Sequence, residues 1–206
     1  MSNKQLTGIF GLSAPILFGI ASYVFLTIYN PNLFNINDDS MIVGFIVKDM
    51  NGYEFVKYFN HLLIGLIIIG FSFGLIKNTS NDGASKIGKI LLLISGLIYM
   101  SFAFTDINDD SDFTIFLLFS RLILVLVLGA FSFLLIANEL LEISNSKLVK
   151  WTIFSFGVFI FINGILQLIA QGTYPLFMKN VSWIIYFLGI GIIGANLLRE
   201  PAHNIG

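Results

Sequence analysis

Six stretches of this chain, 7–29, 55–76, 87–105, 114–138, 151–171 and 181–198, are apolar for long enough to cross a bilayer, and largely polar segments separate them. A hydrocarbon core needs about 20 helical residues to span it. Lipid offers no partner for backbone N–H and C=O groups, so each stretch must satisfy its own as a helix. The chain therefore reads as an all-α integral membrane protein, a six-transmembrane-helix bundle making one transmembrane domain over residues 1–206. Charge supports this: charged residues make up 11%, where a soluble globule carries about 25%.

The same numbers exclude several functions. A net charge of −1, with Lys and Arg scattered along the chain, leaves no basic stripe for nucleic acid. Without cysteine there is no disulfide, no thiolate nucleophile and no cysteine-bound metal. Two histidines, His61 and His203, are too few for a histidine-built metal or haem site, and no cofactor is expected.

The first span is longer than the roughly 7–15 apolar residues of a signal peptide. It ends in Ile28-Tyr29-Asn30-Pro31 rather than at small residues, and so reads as a helix of the bundle. Pro15 lies inside it and predicts a bend, because its nitrogen cannot donate to the carbonyl of Gly11. Residues 41–47 are apolar but too short to cross, and read as an interfacial or re-entrant piece. In the second span the uninterrupted apolar part starts only at Leu62, so the helix must begin earlier and carry His61 within it.

Orientation follows from the cations, since Lys- and Arg-bearing loops stay in the cytoplasm. Lys4, Lys77, Lys86, Lys89, Lys147, Lys150 and Arg199 fall on one side, against Lys48, Lys57 and Lys179 on the other. This predicts a multi-pass protein of the cell membrane with both termini cytoplasmic. Two echoes suggest that helical hairpins were duplicated: Ile36-Asn37-Asp38-Asp39-Ser40 returns as Ile107-Asn108-Asp109-Asp110-Ser111, and Phe71-Ser72-Phe73-Gly74-Leu75-Ile76 as Phe131-Ser132-Phe133-Leu134-Leu135-Ile136. Both acidic loops then face outward.

Arg121 is the eleventh cation and stands within a span, where charge is costly and marks a partner or a wet cavity. Asn163, Gln167 and Gln171 recur every four residues and share one face of span five. His61 in span two and Asp106 at the end of span three fall at a similar level. Together they predict an outward-opening polar pocket. In it Arg121 holds an anionic lipid group, with Asn163 and Gln167 adding hydrogen bonds and His61 and Asp106 beside them. The plainer alternative has Arg121 reaching for the surface or pairing with a loop aspartate, the amides joining neighbouring helices, and His61 packed between helices.

Asp106, Asn108 and Asp110 place oxygen ligands at alternate positions, as calcium loops do. Ser111 then replaces the glycine and Leu117 the closing glutamate, so no EF-hand is formed and only a looser cation site is left to them. Gly70 and Gly74, and Gly189, Gly191 and Gly194, mark close helix packing within the bundle or between protomers of a homo-oligomer. Trp151 and Trp183 suit an interfacial aromatic belt.

The run Asn60-His61-Leu62-Leu63-Ile64-Gly65, with Phe71 to Leu75, Ser85-Lys86-Ile87-Gly88-Lys89, Ser95-Gly96-Leu97 and Phe104-Thr105-Asp106, resembles a family of small six-span prokaryotic membrane proteins of unknown activity, domain of unknown function 998. Members often carry a histidine early in the fourth helix, where this chain has Ser120-Arg121. The resemblance implies architecture and no reaction.

The functional expectation is a non-enzymatic membrane protein that binds or senses a membrane lipid or small amphiphile from the outer leaflet. One alternative is a small-solute or ion transporter, against which stands the gathering of polar groups in the outer half. The other is a membrane-embedded hydrolase using His61 and Asp106, which lacks a nucleophile motif.

Overall fold

The computed structural model describes residues 2–29, 51–79, 83–104, 112–144, 147–170 and 176–199. These form six helices long and apolar enough to cross a membrane, with no strand among the described residues. We label them α1 (Asn3–Val24, continued by Phe25–Tyr29), α2 (Tyr53–Asn78), α3 (Gly83–Ser101, continued by the 3₁₀ turn Phe102–Phe104), α4 (Asp112–Ser144), α5 (Lys147–Ala170) and α6 (Leu176–Arg199). The chain is thus an all-α, multi-pass membrane bundle.

Hydropathy located the helices, and local chemistry set where they begin. α1 starts at Asn3 rather than residue 7 because Ser2 and Gln5 form a capping box: Gln5 N donates to Ser2 Oγ over 3.2 Å, and Ser2 N to Gln5 Oε1 over 3.0 Å. The α-helix runs unbroken through Pro15; the change comes ten residues later, where Phe25–Tyr29 takes the wider π-helical turn. α2 starts at Tyr53 and contains a second π-helical segment, Val56–Leu63, that carries His61. The acidic loops and the 41–47 patch lie outside the described residues.

Each helix packs on its neighbours in sequence, and α6 returns to α1, closing a ring; α6 also touches α4. Successive helices run in opposite directions. Asn78 at the end of α2 donates to Thr7 at the start of α1 over 3.1 Å, and Tyr99 late in α3 meets Asn60 early in α2. The side of the bundle that carries the start of α1 and the end of α6 is called proximal; the other is distal. α6 is the most enclosed span and α1 the least.

The proximal side of α1 is one of the places where helices pack closely. A Cβ on Gly11 would lie 2.8 Å from Gly194 Cα, and one on Gly8 would lie 2.8 Å from Gly194 O, so the α1 and α6 backbones touch where lipid supplies no hydrophobic drive. Gly194 was expected in this role; Gly8 and Gly11 supply its partner surface. Gly70 is looser than expected, since a Cβ there would meet Phe10 only at 3.6 Å.

The hairpin echo does not carry into packing. Ser72 and Ser132 are both buried, but Phe71 is buried where Phe131 is exposed, and Phe73 is exposed where Phe133 is buried. The equivalent serines thus share a buried setting while the phenylalanines on either side exchange places.

Candidate functional site

Beyond Pro15 the tight seam between α1 and α6 opens. A cavity of about 450 Å³ lies there, bordered by Pro15, Phe18, Gly19, Ser22 and Leu26 of α1, and by Asn180, Trp183, Ile184, Phe187 and Leu188 of α6. Asn60, His61, Tyr99 and Leu122 of α2, α3 and α4 close its inner side. That size falls within the roughly 300–1,000 Å³ of small-molecule sites. Phe18 stacks on Phe187 with ring centroids 4.1 Å apart, holding the two helices together behind the opening. A Cβ on Gly19 would meet nothing within 4 Å, and Ile184 and Leu188 are 49% and 45% exposed. The cavity therefore opens sideways, on the flank of the bundle.

Its polarity is graded. At about 1.5 Å of rise per residue, Asn180, Ser22, Tyr99 and His61 lie about 6–12 Å from the distal ends of their helices, whereas Phe18, Phe187, Leu188 and Pro15 lie about 16–21 Å in. The polar groups thus gather toward the distal end, where Leu26, Trp183 and Ile184 stand among them, while the end near mid-membrane is wholly apolar.

The polar end is built by an unusual backbone. Both π-helical segments border it: Leu26 belongs to one, Asn60 and His61 to the other. Phe25 and Val56 pack together between the two segments. Such turns recur at functional sites. Here the segment buries the adjacent residues Asn60 and His61 side by side, at 3% and 4% exposure. Tyr99 Oη donates to Asn60 Oδ1 over 2.9 Å. The His61 ring meets Tyr99 edge-on at 5.2 Å and Phe102 at 5.4 Å, and Trp183 lies 5.6 Å from Tyr99.

Of the described residues expected to form one pocket, only His61 borders this cavity. Arg121 is exposed on α4, while its neighbour Leu122 lines the cavity. Asn163 is buried against α6, its Nδ2 donating to Met178 O over 2.7 Å and to Ser182 Oγ. Gln167, one turn on, is buried too. Asn163 and Gln167 are thus both buried, Asn163 bonded to α6, and Gln171 lies outside the described residues. Asp106, Asn108 and Asp110 lie outside the described residues, and no group of His, Asp and Glu that could hold a metal occurs among the described ones. Trp183 lines the cavity instead of joining a belt, whereas Trp151 is exposed near the proximal start of α5.

A second polar cluster went unforeseen. Lys89 Nζ lies 2.8 Å from Glu139 Oε2 and donates to Oε1 over 3.0 Å, and Ser85 Oγ donates to the same carboxylate. Lys89 is 0% and Glu139 4% exposed. Lys89 was counted only as an inner-side cation at the proximal end of the third span and Glu139 as part of the connector after the fourth, because hydropathy falls at any charge, whether or not a partner neutralises it. The pair places a buried charged cluster in the proximal half, outside the expected gathering of polar groups in the outer half. A signal was present in the spacing: Ser85, Lys89, Leu92, Ser95, Gly96 and Tyr99 follow helical periodicity and form the buried face of α3. Between the two ends, Ser95 Oγ donates to Val125 O over 3.1 Å and lies 2.8 Å from Tyr186 Oη.

No protein-family model, curated protein or solved structure matches this chain.

Proposed function

We propose that this protein binds a lipid or small amphiphile taken up laterally from the membrane leaflet on its distal side. The observation that carries the reading is the graded cavity. Its polar end sits at the depth of lipid head groups, its apolar end points to mid-membrane, and its mouth between α1 and α6 faces the lipid chains. A leaflet amphiphile has the same orientation and needs no inversion to enter. The excess of Lys and Arg at the proximal side supports reading the distal leaflet as the outer one. Nothing in this arrangement requires a reaction, so the protein is read as a binding or sensing protein.

The test is native mass spectrometry of protein released from lipid nanodiscs. The wild type should retain one amphiphile per chain, and Gly19→Leu, which projects into the open mouth, should lose it. Equal retention by both proteins would sink the proposal.

Transport gains support from one observation: the Lys89–Glu139 pair places charge on the proximal side of the helix that also lines the cavity. If the amphiphile crosses the membrane, proteoliposomes should speed its transfer between leaflets, and Gly19→Leu should abolish the acceleration.

A further inference from the structure

We propose that the amphiphile has a single chain and an uncharged, hydrogen-bonding head, such as a glycerol or other hydroxylated group, held by His61, Asn60, Ser22 and Asn180. This rests on the binding function proposed above and names its ligand class.

The head level of the cavity offers a hydroxyl, two carboxamides and an imidazole. These groups both donate and accept hydrogen bonds, which suits hydroxyls. Among the described residues no Lys, Arg, Asp or Glu lines the cavity. A phosphate, sulfate or ammonium head entering it would be an ion taken from water without a counter-ion, and the cost of that exceeds what neutral hydrogen bonds return. Among the described charges on the lining helices, Lys57 lies over the rings of Tyr53 and Tyr58. Arg121 sits on the exposed side of α4, and the Lys89–Glu139 pair is sealed at the opposite end of α3. Tyr99 donates to Asn60 Oδ1, which leaves the amide nitrogen as the donor for a guest. A volume of about 450 Å³ and one lateral mouth suit one chain beside Phe18, Phe187 and Leu188 rather than the two of a bilayer phospholipid.

Trp183 provides the readout, because it lines the cavity and the chain has only one other tryptophan, Trp151. Trp151→Phe protein in nanodiscs is titrated with a monoacylglycerol carrying a brominated chain, and separately with a lysophosphatidylglycerol carrying the same chain. The monoacylglycerol should quench Trp183 fluorescence saturably, with half-saturation at least tenfold lower than the anionic probe. His61→Phe should erase most of that difference, and Gly19→Leu should remove the saturable component while thermal unfolding stays as in the parent protein. Equal or tighter quenching by the anionic probe would overturn the uncharged head while leaving amphiphile binding intact. Quenching that rises linearly for both probes and is unchanged by Gly19→Leu would overturn both.

Discussion

The two ends of α3 both bury polar groups inside an apolar bundle, and they handle them in opposite ways. At the proximal end the groups are charged, and the site is closed: Lys89 and Glu139 neutralise each other, Ser85 adds a hydrogen bond, and neither charge reaches solvent. At the distal end the groups are neutral, and the site is open: Tyr99, Asn60 and His61 stand at a cavity with a mouth on the bundle flank. A buried ion must carry its counter-ion with it. A neutral polar group tolerates a vacancy better and can exchange partners with a guest. The first arrangement therefore suits a latch between α3 and α4, and the second a binding site.

Cutting the latch on one side only should have the largest effect. Lys89→Met or Glu139→Gln alone leaves one partner buried without its complement and should lower unfolding stability by about 3–5 kcal/mol. Lys89→Met combined with Glu139→Leu removes both charges and should restore most of that loss, as apolar replacements of buried pairs do. Equilibrium unfolding in mixed micelles gives both values. Singles that unfold like the parent would mean that the pair is solvated in the membrane, and the contrast between closed and open ends would fail.

The seam between α1 and α6 repeats the contrast on a smaller scale. Gly11→Leu must push against Gly194 Cα, 2.8 Å from the new Cβ, and overpacking of this kind should cost about 1–3 kcal/mol. Gly19→Leu, on the same helix but at the open mouth, meets nothing within 4 Å and should stay within about 0.5 kcal/mol of the parent. Thermal unfolding in detergent compares them directly. A Gly19→Leu loss as large as that of Gly11→Leu would show that the distal seam closes in the membrane.

These contrasts also mark what could be read from the sequence. Span number and order were legible because apolar run length is dictated by the bilayer, and it is independent of how helices pack. Placing His61 inside α2 was legible for the same reason, since the run beginning at Leu62 is too short alone. Which face each helix turns inward was not. Arg121 drew attention as a lone cation in an apolar run, yet Leu122 beside it faces the cavity. Lys89 and Glu139 are fifty residues apart and looked like an ordinary span-end cation and an ordinary connector charge, because nothing in a linear hydropathy profile reports that two charges meet. The π-helical turns that bring Asn60 and His61 to one surface have no sequence signature. The spacing of Ser85, Lys89, Ser95 and Tyr99 was the one available clue to the buried face of α3.

Arg121→Gln should have the smallest effect. Arg121 is exposed, and exposed charges, paired or not, contribute at most about 1 kcal/mol. Its loss should leave unfolding nearly unchanged. It should also shift half-saturation of Trp183 quenching by the brominated monoacylglycerol less than twofold, because Arg121 does not border the cavity. This substitution is nevertheless the sharpest check on where charge acts. A tenfold loss of binding would mean that the guanidinium reaches the head group from the flank of α4. The distal site would then be ionic like the proximal one, and the division between a charged latch and a neutral cavity would have to be abandoned.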